Sequence, residues 1–169
     1  MATPRGRNTL TIRIKKGRDG PHSLVCQRAD GSMTMQHHPT EFFPLHDLIH
    51  YAVETVLNYQ RGFYGLVAGG WNLEDFGSPW PRGRLPLDLD PSELIVGEVT
   101  RGLATGEPVT AEQINSNVAA WYAQNAPDQK TPLPLSEEQL ARIRSAIAEL
   151  HGNWRELPGG GTMELTFSV

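Results

Sequence analysis

Apolar and polar residues alternate from Thr9 to Lys15, with Leu10, Ile12 and Ile14 on one face and Thr11, Arg13 and Lys15 on the other. That two-residue period is the signature of a half-buried strand. Gly17-Arg18-Asp19-Gly20-Pro21 closes it, and a second strand of about His22 to Arg28 runs into Asp30-Gly31, a dipeptide suited to a tight hairpin turn. A third strand follows over Ser32 to His38. Met33, Met35 and His37 share one of its faces and Thr34, Gln36 and His38 the other. With the methionines taken as the apolar face, His37 points inward and His38 outward.

The period then changes to that of a helix. Pro44 suits a first turn, where its missing donor would be unpaired anyway, and the spacing predicts a helix over 44–60. Its apolar stripe is Leu45, Leu48, Ile49, Ala52, Val53 and Val56. The next apolar stretch, Phe63 to Ala68, reads as a second short helix or a kinked continuation, ended by Gly69-Gly70. Residues 72–90, rich in Pro and Gly, read as a long irregular connection, the kind of segment that often covers a functional site.

Asp90-Pro91-Ser92-Glu93 carries a capping residue, a first-turn proline and an acid, and begins a helix that Gly106 stops. Thr110-Ala111-Glu112-Gln113 begins another, to about Asn125, burying Ile114, Val118 and Trp121 or Tyr122. Ser136-Glu137-Glu138-Gln139 is a further capping box, and its helix buries Leu140, Ile143, Ile147, Leu150 and Trp154 at spacings of three and four. Pro158-Gly159-Gly160-Gly161 turns the chain into a last strand, where Met163, Leu165 and Phe167 alternate with polar residues.

Three strands, four or so helices and one strand define an α+β fold. The sheet is mostly antiparallel, with about four strands, three N-terminal and one C-terminal, and the helices pack on one face. The last strand is expected beside the first, since alone it could not bury its apolar face. A chain of 169 residues suits one domain over 9–169, preceded by a flexible N-terminal tail over 1–8.

Composition narrows the function mainly by exclusion. The net charge of -4 offers no electrostatic footprint for nucleic acid. No apolar run approaches the roughly 20 residues that span a bilayer, and Met1 to Arg7 lacks a secretory h-region. The single cysteine, Cys26, excludes an intrachain disulfide and fits a reducing compartment, so the expected location is cytoplasmic. Cys26 itself reads as a buried structural thiol.

Candidate chemistry concentrates in Phe43-Pro44-Leu45-His46-Asp47-Leu48-Ile49-His50-Tyr51-Ala52-Val53-Glu54. On a helix His46, His50 and Glu54 succeed one another at single-turn spacing along the edge of the apolar stripe. Two histidines four apart can chelate one ion from adjacent turns. The expected metal ligands are therefore His46, His50, Glu54 and an inward-facing His37, the expected ion is zinc, and Asp47 or Glu54 is the expected proton acceptor for a metal-activated water. The alternative is a non-catalytic interaction protein whose histidine helix is a hydrogen-bonded element of the core. Its exposed sheet edge or aromatic surface would then serve a partner, a second copy of the chain included.

The HDLIH motif is similar to the HExxH of zinc metallopeptidases, with Asp47 in place of the general-base Glu. Asp is one carbon shorter, so its carboxylate would fall about 1.5 Å short. The motif also resembles the HDxxH of a ubiquinone-biosynthesis family, whose pattern adds a Glu after eleven further residues, a position held here by Gly62. Elsewhere, Glu74 and Asp75 are candidates for an oxygen ligand or base, and the aromatics Tyr59, Phe63, Tyr64, Trp71, Phe76 and Trp80 for core packing or a pocket wall.

Overall fold

A computed structural model describes residues 8–169; the predicted tail lies outside these residues except for Asn8, whose carbonyl accepts the Val169 N–H at 2.9 Å. Four strands form one antiparallel sheet: β1 (Thr9–Lys15), β2 (His22–Gln27), β3 (Met33–His38) and β4 (Thr162–Ser168), in the order β3-β2-β1-β4. The last strand pairs with the first along its whole length, from Thr9 opposite Ser168 to Lys15 opposite Thr162. Leu10, Ile12, Ile14, Leu24, Cys26 and Phe167 are buried on the inner face of this sheet. Burial also pushes the Cys26 thiol up to about 12, helped by the nearby Asp47 charge, so it is no nucleophile at neutral pH.

The face of β3 differs from the expectation. Cross-strand partners share a face, and β2 pairs Leu24 with Gln36, Cys26 with Thr34 and His22 with His38. Because Leu24 and Cys26 are buried, it is Thr34, Gln36 and His38 that turn inward, and His38 is only 4% exposed. Met33 and Met35 are more than half exposed, and His37 stands with them on the outer face. The register is regular; the methionines, though apolar, do not define the core face.

Five helices follow β3: α1 (Phe42–Val56), α2 (Phe63–Ala68), α3 (Ser92–Thr105), α4 (Ala111–Asn125) and α5 (Glu137–Glu156). The first is shorter than the predicted 44–60. It ends where Asn58 enters the left-handed region at φ 53° and the Tyr59 N–H bonds back to the Glu54 carbonyl, a local reversal that makes α2 a separate helix. Gly106, at φ 71°, ends α3 as predicted. The Thr110 and Ser136 capping boxes form at α4 and α5, but Asp90 does not cap α3. Its Oδ2 instead accepts the Gln60 and Arg61 N–H groups and ties the α1–α2 turn to the start of α3.

Helix α1 joins two apolar clusters. Leu48 packs with the inner sheet residues, Tyr64 and Trp154, while Ile49, Ala52 and Val53 pack with Ile95, Val96 and Val99 of α3 and with Ile143 and Ile147 of α5. Each fully buried aliphatic side chain contributes about 1.5–3 kcal/mol, so two sides of α1 are firmly held. The stripe left over, His46, Asp47, His50 and Glu54, meets α2, α3 and the end of β3. No helix among the described residues is long and apolar enough to cross a membrane.

Candidate metal centre

Glu54 is the deepest polar residue of the stripe, with no exposed surface. Its carboxylate is held by four donors: the Phe63 N–H at 2.7 Å and Ser92 hydroxyl at 2.7 Å on Oε1, the Tyr64 N–H at 2.9 Å on Oε2, and the His50 ring 3.4 Å from Oε1. A buried carboxylate is tolerated only when so satisfied. Gly62 makes the arrangement sterically feasible, since a Cβ at that position would fall 2.5 Å from the Glu54 carboxyl carbon.

His50 is 2% exposed and lies between two acids. Nδ1 faces Glu54, and Nε2 lies 3.3 Å from Oε1 of Glu93 on the first turn of α3. Burial by itself disfavours the imidazolium, but the hydrogen bonds and charges of Glu54 and Glu93 outweigh it and raise the His50 pKa to about 9. His46 behaves oppositely. Burial and then the neighbouring His50 charge hold its pKa below the usual value, which leaves a neutral ring with a lone pair to donate. That ring stacks on Phe42 and meets His50 edge-on at 4.9 Å between centroids.

His46, His50 and Glu93 each offer a ligand atom, and the three atoms lie within 4.8 Å of one another. Ligands about 2.0–2.1 Å from a tetrahedral ion stand about 3.3 Å apart, so modest side-chain motion would close the set. The Glu93 carboxylate is 59% exposed and free to make it. Glu54 and His37, both expected as ligands, are outside this cluster. Glu54 stands behind His50 as its hydrogen-bond acceptor, and His37 is on the far face of the sheet.

The three residues open onto a cleft of about 620 Å³ that is also lined by His38, Asp47 and Glu74. Phe43, Phe63 and Phe76 form apolar walls, and Gly77, Ser78, Pro79 and Pro81, from the connection predicted as a cover, line one side. Asp47 does not stand alone there: its Oδ2 lies 3.0 Å from Nε2 of His38, with both side chains at least nine-tenths buried. His38 in turn stacks on Phe43 at 4.9 Å. Of the loop acids, Glu74 lines the cleft, whereas Asp75 is buried, caps a short 3-10 turn (Leu73–Phe76) and pairs with Arg82. Tyr64 is core, with burial raising its phenol well above the usual range.

Sequence reasoning missed Glu93, Ser92 and His38. The first two sit in a helix-start pattern that explained them locally, and nothing nearby in sequence pairs them with α1. For His38 the buried Leu24 and Cys26 of β2 held the signal. No protein-family model matches this chain, and no curated protein or solved structure is significantly similar to it.

Proposed function

We propose that the cleft is a mononuclear centre for a divalent transition metal, zinc first among them, and that it serves a metal-dependent hydrolase. His46, His50 and Glu93 would supply three ligands, a donor set of the kind that hydrolytic zinc sites combine with a water in the fourth position. The observation that carries this reading is the paired environment of His50. One ring nitrogen is bonded to a buried carboxylate, fixing the tautomer, and the other is turned to Glu93, as in the carboxylate–histidine pairs that orient metal ligands. Opening of the cluster onto a cleft favours a catalytic over a closed structural centre, because a substrate could reach the remaining position.

Without metal the same residues make an ion-paired core element, His50 as a cation between two acids, and that is the competing reading. Elemental analysis of tag-free protein, followed by zinc titration of chelator-treated protein, separates the two. One equivalent of tightly held metal, lost in His50→Ala and Glu93→Ala, is the expected result. No uptake at a tenfold excess of zinc would leave the cluster as architecture.

A further inference from the structure

The His38–Asp47 pair is a buried polar pair for which the metal centre has no structural use. Asp47 follows the ligand His46 on α1, and His38 comes from the end of β3, so the pair and the ligand cluster share one cleft. With Nε2 of His38 bonded to Asp47, Nδ1 is the remaining nitrogen. His38 is among the residues that line the cleft, so the nitrogen not engaged by Asp47 is the one left for a group bound there. The contact with Asp47 orients the ring, and a hydrogen bond donated from Nε2 to that carboxylate makes Nδ1 the acceptor nitrogen.

The cleft also has a charge character. Asp47, Glu74 and Glu93 line it, and among the described residues no Lys or Arg does. Phosphate monoesters are held elsewhere by Arg, Lys or several metal ions, and here a single zinc, with the carboxylates of Glu93, Glu74 and Asp47 around it, would be the one cation offered to a dianion. Phe43, Phe63 and Phe76 offer apolar surface instead.

We infer that His38 is the proton-transferring residue of this cleft, positioned by Asp47, and that the substrate is a neutral or cationic ester or amide bearing an apolar group. The inference rests on the metal reading above. In the reaction a water oxygen bonds to the carbonyl carbon while His38 Nδ1 takes the water proton. The C–O or C–N bond then breaks, the alcohol or amine leaves with that proton, and His38 returns to its neutral form.

The test uses zinc-loaded full-length protein with three probes: 4-nitrophenyl butyrate, leucine 4-nitroanilide and 4-nitrophenyl phosphate. At least one carbonyl probe should exceed the phosphate about 100-fold or more in kcat/KM. His38→Gln should lower kcat by about 10²–10⁴ with zinc stoichiometry and KM unchanged, and Asp47→Asn should lower kcat in the same direction. Failure to bind zinc would defeat the metal reading itself. With zinc bound, turnover of no probe, preference for the phosphate, or an undiminished kcat in His38→Gln would overturn this inference alone. The probe preference is read on the unsubstituted protein and decides the substrate class even where a variant does not fold.

Discussion

His50 and Glu93 approach to 3.3 Å, Nε2 to Oε1, from helices separated in sequence by α2 and the whole connecting segment. In the metal-free protein this contact is that of an imidazolium with a carboxylate, so a metal must displace the proton between them. Zinc affinity should therefore fall about tenfold per pH unit from about pH 8 to 6, with one proton released per ion at pH 8, measurable by calorimetry in buffers of different ionisation enthalpy. At a free concentration one hundred times the dissociation constant, zinc should stabilise the fold by about 2.7 kcal/mol, read as a rise in Tm that chelator reverses.

The metal-free protein should show the same proton through its stability. The folded-state pKa of His50 is raised from 6.5 to about 9, so the folded state holds a proton that the unfolded chain has released in that interval. Its contribution is complete below pH 6.5 and is lost as pH rises through 9. Buried tyrosines such as Tyr64, also raised, titrate later and act in the same direction. Thermal unfolding of metal-free protein from pH 6 to 9.5 should fall more steeply than that of His50→Gln, and parallel curves would contradict the assignment.

Glu54→Gln keeps the volume but presents an amide nitrogen where the carboxylate accepts N–H and O–H groups. One donor then faces another in a buried site, at a cost of about 1–3 kcal/mol. Zinc affinity should drop by about 10–100-fold, because the partner that orients His50 is weakened. Urea unfolding and zinc titration measure the two effects separately.

Gly62→Ala introduces a Cβ where the Glu54 carboxylate already lies. Overpacking of this kind costs about 1–3 kcal/mol, and the displaced carboxylate loses contact with His50. Both Tm and zinc affinity should fall. An unaffected Gly62→Ala protein would mean that this carboxylate has room to move.

His37 and His38 are neighbours in sequence on opposite faces of β3. His37→Ala should leave Tm and zinc uptake unchanged within about 0.5 kcal/mol, as expected for a surface site. His38→Ala removes the partner of a buried Asp47 and should destabilise by about 1–3 kcal/mol. Parallel denaturation of the two variants tests the register of the whole β2–β3 hairpin.

Much of the frame was readable along the chain because its signals are local. Alternation marked β1 and β4, three-and-four spacing marked α5, and the Thr110 and Ser136 boxes marked helix starts within a residue. The histidine stripe was readable too, since four residues on a helix always return to one side. Local capping logic failed at Asp90, whose carboxylate was claimed instead by the N–H groups of Gln60 and Arg61 from another element.

The sequence by itself determined the periods: which residues of β3 share a face, and that His46, His50 and Glu54 share a stripe. Only the tertiary structure decided the phase, because alternation is the same whichever face is buried and it was pairing with Leu24 and Cys26 that turned His38 inward and His37 outward. Packing of α3 against α1 likewise brought Glu93 to His50, and the turn at Gly62 gave Glu54 to the backbone of α2. Distances between elements depend on how their apolar faces pack together, and no spacing within either element encodes them.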